Sequence, residues 1–153
     1  MENDSPPVIN ISPLPSPSAF TYSASGPNPD THKVASQIIS ACSTWGFFQI
    51  VNHGIPSELQ ASLLKCPSQF FEQPLDTKLQ VHVKNGGVAW RGYMPLGGEG
   101  TRGRVDHKEG IYFGPEHPEG HPHAGLPLHG RNQFPDEASV PGMRETVLQY
   151  TLE

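Results

Sequence analysis

The sequence has little of what marks several large protein classes. It contains only two cysteines in 153 residues, Cys42 and Cys66, which is too few for a disulfide framework. Both fall within helical patterns, where cysteine usually serves as a small buried hydrophobic residue. The cysteine usage therefore favours a reducing compartment, and we expect a cytoplasmic protein.

Basic clusters and long apolar runs are also missing. The ten lysines and arginines are scattered, and the net charge is −5 with a pI near 5.9, so nucleic acid and anionic membrane are poor candidate partners. No apolar stretch approaches the length of about 20 residues that spans a bilayer. The first residues lack the basic start of a signal peptide. We expect neither a nucleic-acid nor a membrane partner, and the sequence leaves the oligomeric state open.

Proline and glycine, by contrast, are abundant, with 17 and 16 residues, so much of the chain must be loop. Residues 1–30 hold seven prolines and six serines, which predicts an extended or disordered lead-in with one short strand near residues 8–11. Residues 114–142 hold six prolines, five glycines and four histidines, which predicts a long loop. A helix is expected to begin after it, at Met143.

Two helices are predicted between these loops. The first covers about residues 31–45, with Asp30 or Thr31 as its cap. Its buried stripe is expected at Val34, Ile38, Ala41 or Cys42, and Trp45. The second begins at Ser57, where Gln60 completes a capping box.

Pro67 falls inside the second helix. A proline there removes a hydrogen bond and clashes with the preceding turn, at a cost of roughly 3 kcal/mol. We therefore expect a kink near Cys66, or a helix that ends there and restarts at Ser68.

The strand pattern is strongest at residues 47–51, which are apolar except for Gln49 and predict a strand covered on both faces. Two more strands are predicted at residues 89–93 and 105–113. Between them, Gly97-Gly98-Glu99-Gly100 predicts a turn; it lacks the lysine and hydroxyl residue of a phosphate-binding loop.

The longest informative stretch is Trp45-Gly46-Phe47-Phe48-Gln49-Ile50-Val51-Asn52-His53-Gly54-Ile55-Pro56. With the helix before it, this stretch resembles the N-terminal region of the plant-type Fe(II)/2-oxoglutarate-dependent dioxygenases. That group includes the aminocyclopropanecarboxylate oxidases and isopenicillin N synthase-like enzymes. The resemblance runs from about Val8 to the C-terminus, and it is specific for the family but not for a substrate.

The resemblance implies an α+β fold, with N-terminal helices packed on strands of an incomplete double-stranded β-helix, or jelly roll. Residues 31–113 would form the non-haem dioxygenase N-terminal domain, and residues 114–153 would lead toward an absent catalytic domain. It implies an oxidoreductase of plant specialised metabolism that oxidises a small metabolite. The complete enzyme would use Fe(II) and 2-oxoglutarate, with ascorbate, whereas this chain alone is expected to bind none of them and to be inactive.

In the family that this chain resembles, iron is held by a His-x-Asp and a later histidine, and an Arg-x-Ser holds 2-oxoglutarate. Because neither pattern is present in its expected context, we expect no catalytic, cofactor or metal residue in this chain. Three residues are candidate substrate contacts by resemblance: Tyr93, Ile111 and Phe113. Core packing is the ordinary alternative for all three.

Two groups of histidines invite a metal interpretation. His107-Lys108-Glu109 is formally a His-x-acid element that His129 could complete. However, Asp106-His107-Lys108-Glu109 resembles the family's Asp-Trp-Lys-Glu stretch, which holds no ligands.

The second group is His117, His121, His123 and His129. These histidines could chelate Zn²⁺ or Ni²⁺ weakly, but neither cysteine nor carboxylate completes a set at the usual spacing, so a solvated loop is favoured. His53 is expected to be structural, with its ring bonding backbone groups where the strand ends.

A different class of function remains open. The chain could be a truncated, non-catalytic binding or interaction module, or, more distantly, a metal-binding protein that uses the histidine-rich loop. The departure of Pro67 from the family pattern and the end of the sequence within a predicted helix favour the truncated module.

Overall fold

The computed structural model describes residues 5–14 and 28–152, so most of the predicted lead-in and Glu153 lie outside the described residues. The chain divides into two compact units, residues 1–55 and 56–153. Both mix helices with short strands, which confirms the α+β class. The described residues close no barrel. Among them, none of the helices combines the length and apolar character needed to cross a lipid bilayer.

The first unit is a small parallel sheet covered by one helix. Strands β1 (Val8–Asn10) and β2 (Gln49–Val51) pair in parallel, and helix α1 (Pro29–Thr44) packs against β1. The buried residues of this unit are Ile9, Val34 and Ala41, with Ile11, Leu14, Ile38 and Phe48 packed around them. The helical spacing of Val34, Ile38 and Ala41 thus predicts the buried stripe of α1 correctly.

Three details of this unit differ from the sequence prediction. Helix α1 is capped by Asn28, whose side chain accepts a hydrogen bond from the Asp30 backbone N–H (3.0 Å), because Pro29 already occupies the first helical position. Cys42 is exposed, since it lies one residue beyond the stripe. Trp45 is also exposed, and its ring meets that of Phe47 edge to face at 6.2 Å.

The strand predicted to be covered on both faces is exposed. Strand β2 has three residues and pairs with β1 in the described part of the chain. Phe47, Ile50 and Val51 keep 58%, 45% and 40% of their surface accessible. The prediction that this strand is covered on both faces was wrong. A continuous apolar run shows only that a strand could be buried, whereas its actual burial depends on which elements pack against it.

The second unit contains helices α2 (Ser57–Phe71), α3 (Leu75–Leu79) and α4 (Met143–Leu152), and a 3₁₀ segment, Val83–Ala89, that is broken at Gly87. Its strands are β3 (Gly92–Met94), β4 (Gly100–Thr101), β5 (Arg104–Val105) and β6 (Gly110–Tyr112). Antiparallel pairs join β3 to β6 and β4 to β5. The core consists of Cys66, Phe70, Val81, Tyr93, Val140, Met143 and Val147. The burial of Met143 and Val147 fits the helix predicted from their spacing.

Strands of the second unit are shorter than predicted. Trp90 has a left-handed backbone (φ 51°) and follows the 3₁₀ segment directly, so the first predicted strand begins only at Gly92. The second predicted strand is divided between the end of β5 and β6. A tight turn at Trp90 overrides the apolar pattern in the first place, and residues 106–109 form no strand in the second.

Helix α2 departs from two predictions. Pro56 occupies the cap position and makes no side-chain cap bond, so Ser57 is helical and the capping box is absent. The helix also runs without a break through Pro67, which rules out an end and restart at Ser68. Tertiary packing of Cys66 and Phe70 holds the turn in place despite the missing donor.

Replacing this proline tests that explanation. Pro67→Ala is expected to raise the free energy of unfolding by about 2 kcal/mol, because about 3 kcal/mol of helix cost is removed and about 1 kcal/mol is lost to a more flexible unfolded chain. Denaturant unfolding followed by circular dichroism measures this. The control is Pro74→Ala at the cap of α3, where no helical hydrogen bond is missing. A Pro67→Ala variant no more stable than the parent would contradict the account.

Candidate functional site

The three predicted substrate residues lie in or against the core of the second unit. Tyr93 of β3 pairs with Ile111 of β6 and is 1% exposed, with its ring edge to face against Phe70 (5.7 Å between centroids). Ile111 and Phe113 are partly buried, and Phe113 stacks on Phe134 at 4.9 Å. The structure therefore brings the three residues to one region, where Tyr93 is part of the core and Ile111 and Phe113 pack against it.

A pocket of about 220 Å³ lies between α2 and α4, away from these residues. Its lining is Ser62, Lys65, Cys66, Gln69, Pro141 and Thr146. None of the three predicted substrate residues is among them.

Beneath the β3–β6 pair, a charged network joins Lys78, Tyr93 and Glu109. The Lys78 ammonium lies 2.8 Å from Oε2 of Glu109 and 3.1 Å from the Phe71 carbonyl oxygen, and the Tyr93 hydroxyl donates to the same Oε2 at 2.6 Å. The side chain of Lys78 is 10% exposed and that of Glu109 is 31% exposed. Glu109 thus compensates a largely buried cation and orients a buried phenol.

These contacts shift the pKa of both acids. Hydrogen bonds from Lys78 and then Tyr93 hold the pKa of Glu109 below its ordinary value of 4.5. Burial, and then the hydrogen bond to Glu109, raise the pKa of Tyr93 to about 12. At neutral pH Glu109 is therefore a carboxylate and Tyr93 a neutral phenol. Glu109 is therefore occupied as a structural acceptor, and the exposed His107 does not share its role.

The second polar centre is the guanidinium of Arg91, which is 4% exposed. Its Nη1 donates to the carbonyl oxygens of Gly114 (3.0 Å), Pro115 (2.9 Å) and Gly130 (2.6 Å) and to Oδ1 of Asn132 (3.3 Å), and its Nη2 donates to the carbonyl oxygen of Leu128 (3.1 Å). These acceptors come from both ends of the histidine-rich loop. One buried cation thus fixes the path of residues 114–132.

Two glycines make room for this arrangement. Gly92, beside Arg91, has φ 119°, and a Cβ there would collide with the Val81 carbonyl oxygen and the Gln133 side chain. A Cβ on Gly114 would lie 2.8 Å from Nη2 of Arg91. Any other residue at either position would push the guanidinium or its strand out of place.

Glu116 and Asn132 complete the anchor. Glu116 accepts from the Asn132 backbone N–H (2.7 Å) and from the Arg144 guanidinium of α4 (2.9 Å), while Asn132 bonds the Gly114 backbone in both directions. Burial lowers the pKa of Arg91, and the negative charge of Glu116 acts in the opposite direction. The two ends of the loop are consequently tied to Arg91 and to α4, while residues 118–120 and 122–128 between them are exposed, as expected for a solvated loop.

Four histidine rings converge on this anchored loop. His117 stacks on His121 with centroids 4.1 Å apart, and the rings of His123 and His129 each lie within 5.7 Å of His117. Nε2 of His117 is 3.0 Å from Nδ1 of His129. One ring nitrogen each from His117, His121 and His123 lies within 4.8 Å of the others. Burial, followed by the neighbouring histidines, lowers the pKa of His117.

These residues do not fit a facial triad of two histidines and one carboxylate. Among the described residues, the group of possible metal ligands that converges holds three histidines and no acid. The sequence also contains His117-Pro118-Glu119, but Glu119 is not part of the group. Neither His-x-Asp nor Arg-x-Ser, the patterns by which the family holds its iron and co-substrate, occurs in the sequence.

His53 has the structural role that was predicted for it. Its Nδ1 accepts a hydrogen bond from the Ile55 backbone N–H at 3.1 Å, next to Asn52 in a left-handed conformation (φ 57°). The ring stabilises the turn that follows β2.

Sequence reasoning missed the roles of Arg91 and Lys78. An arginine beside a glycine at the start of a strand, and a lysine in a short amphipathic helix, are ordinary surface patterns. Only the tertiary structure shows that both are buried, at 4% and 8% exposure.

The network around Glu109 gives a stability prediction. Glu109→Gln leaves the Lys78 ammonium without its counter-charge and is expected to lower the free energy of unfolding by about 2 kcal/mol, less than for a fully buried pair because Glu109 is partly exposed. Since the pKa of Glu109 is lowered by folding, its contribution is complete above pH 4.5 and is lost as the pH falls through the lowered value.

Denaturant unfolding from neutral pH into the acid range checks this prediction. The difference between the parent and Glu109→Gln should shrink below pH 4.5. Lys108→Gln, which breaks the exposed pair with Glu99, is the matched control and should change stability much less. A Glu109→Gln effect that is equally large at all pH values would count against the charge interpretation.

Comparison with known proteins places these elements in one family. The chain is 39% identical over 124 residues to the probable iron/ascorbate oxidoreductase DDB_G0283291 of Dictyostelium discoideum, covering 76% of this chain and 34% of that protein. It is 35% identical over 136 residues to the 2-oxoglutarate-dependent dioxygenase tropC of Talaromyces stipitatus, covering 87% of this chain and 42% of the relative. It is 34% identical over 159 residues to the 2-oxoglutarate-Fe(II) type oxidoreductase hxnY of Emericella nidulans, covering 98% of this chain and 42% of the relative.

The chain therefore spans less than half the length of these curated relatives. Residues 7–137 match the family described as "non-haem dioxygenase in morphine synthesis N-terminal", a range that covers most of the first unit and the second unit up to, but not including, α4. The chain belongs to the non-haem dioxygenase N-terminal family.

Proposed function

We propose that this chain is the N-terminal portion of an Fe(II)- and 2-oxoglutarate-dependent oxygenase that oxidises a small metabolite. The observation that carries the proposal is the family match over residues 7–137. Relatives named as 2-oxoglutarate-dependent dioxygenases and oxidoreductases support it. In such an enzyme iron would activate dioxygen, the oxidant, while 2-oxoglutarate is oxidised to succinate and CO₂ and the substrate is hydroxylated, desaturated or otherwise oxidised.

The proposed role of this chain is to support a jelly roll and to shape the substrate entrance. The short strands of the second unit would join that jelly roll, and the apolar side chains exposed on β2 would be covered by it. Ile111 and Phe113 pack against the core but remain partly accessible, which suits them to contact an apolar substrate. Tyr93, being buried, would act by holding β3 through Glu109.

We further propose a cytoplasmic enzyme of specialised metabolism, assisted by ascorbate. One of the relatives is named an iron/ascorbate oxidoreductase, and the cysteine usage suits a reducing compartment.

A chimera tests this proposal. The chain is fused, in place of the matching N-terminal segment, to the remaining part of the dioxygenase from Talaromyces stipitatus. Succinate formation from 2-oxoglutarate is then measured with Fe(II) and ascorbate. We expect turnover by the fusion, and none by this chain or by the truncated relative alone, because neither part holds both the ligands and the N-terminal support.

Two results would contradict the proposal. A fusion that is soluble and cooperatively folded, yet stays at the metal-only blank, would favour a non-catalytic binding module. Turnover by this chain alone that disappears in His107→Ala would show that the active site is misplaced.

A further inference from the structure

The four histidines of the anchored loop form a compact group that the proposed oxygenase role does not use. His117 and His121 are half-buried, His123 is exposed, and their rings lie between 4.1 Å and 5.7 Å apart. His129 adds a fourth ring, 5.1 Å from both His117 and His123. Histidine is the commonest metal ligand among side chains, and zinc and other late first-row metals bind its neutral imidazole.

The backbone around the group is held before any metal arrives. Arg91 binds the carbonyl groups on both sides of it, at Gly114 and Pro115 and again at Leu128 and Gly130. The side chain of His121 accepts a hydrogen bond at Nδ1 from the His123 backbone N–H (3.1 Å), which fixes that ring and leaves its Nε2 for another contact. A site ordered in advance loses less entropy when it binds.

We propose that His117, His121 and His123 form a binding site for a late first-row divalent metal ion, with Zn²⁺ as its representative, and that His129 orients the ring of His117. Three imidazoles would leave the fourth position of a tetrahedral ion to water. The absence of a carboxylate separates this site from the iron site of an oxygenase.

The spacing of the ligand atoms suits the proposal. Nitrogen ligands about 2.0 Å from a tetrahedral ion are about 3.3 Å from one another. The three ring nitrogens already lie within 4.8 Å of one another, so side-chain rotation alone can bring them to the shorter separations that a tetrahedral ion requires. The hydrogen bond between Nε2 of His117 and Nδ1 of His129 is the kind of outer contact that orients a metal-binding histidine.

The charges nearby have opposite effects on the affinity for a metal ion. The cation of Arg91 repels an ion beside His117, but the carbonyl oxygens that accept its hydrogen bonds and the carboxylate of Glu116 reduce that repulsion. Bound metal would connect residues 117 and 123 directly and would stabilise the folded loop by mass action.

Zn²⁺ titration of the full 153-residue chain, competed against a chromophoric chelator, tests the site. We expect one equivalent of Zn²⁺ to bind, and His117→Gln, His121→Gln and His123→Gln each to weaken binding by about tenfold or more. His129→Gln should have a smaller effect. His107→Gln, an exposed histidine outside the loop, is the matched control and should leave the affinity unchanged.

Thermal unfolding gives a second measurement that does not depend on enzyme activity. Zn²⁺ should raise the melting temperature of the parent and of His107→Gln, but not of His121→Gln or His123→Gln. Because His123 is exposed, its variant should fold normally without metal, and its circular dichroism spectrum checks this. Equal Zn²⁺ affinity in the parent and the loop variants, or an equal loss in His107→Gln, would overturn the proposal.

Discussion

The buried guanidinium of Arg91 is the interaction on which the organisation of the second unit depends. A charge that is 4% exposed would be strongly unfavourable without partners, and this one has oxygen acceptors drawn from residues 114, 115, 128, 130 and 132. A segment with no regular secondary structure is thereby fixed against β3. Arginine suits this role better than lysine because its planar fork reaches several carbonyl groups at once. The glycines at positions 92 and 114 leave the space that the fork needs.

The helices and the site could be predicted from the sequence to different degrees. Regular spacing of apolar residues located α1, α2 and α4, because a helix buries one stripe whatever its partner. Burial of β2 could not be predicted, since it depends on which element covers a strand. The sequence prediction placed the N-terminal cap of α1 two to three residues too late. Asp30 is as favourable a capping residue as Asn28, but Pro29 occupies the first helical position and makes Asn28 the cap.

The candidate site shows the same division. The backbone bond of His53 follows from a local Asn-His-Gly turn and could be anticipated. The convergence of the four histidines could not be anticipated. A proline-rich loop with this histidine spacing can follow many backbone paths, and Arg91, which is distant in sequence, fixes one of them. Likewise, the carboxylate of Glu109 looked like part of a His-x-acid element, whereas tertiary contacts direct it to Lys78 and Tyr93. The resemblance of this element to a stretch without ligands argues against a metal site there, whereas the histidines that converge lie at residues 117–129.

Amide hydrogen exchange, measured by mass spectrometry on the parent and on Arg91→Lys, tests most directly whether Arg91 orders residues 114–132. The amides of Gly114, His129 and Asn132 donate within this region, and the Leu128 amide donates to the carbonyl oxygen of Val88. We expect Arg91→Lys to keep the protection of α2 while exchange across residues 114–132 becomes faster by at least about tenfold, because several charge-assisted hydrogen bonds are lost. Unchanged protection of the loop in a folded Arg91→Lys variant would contradict this role of Arg91.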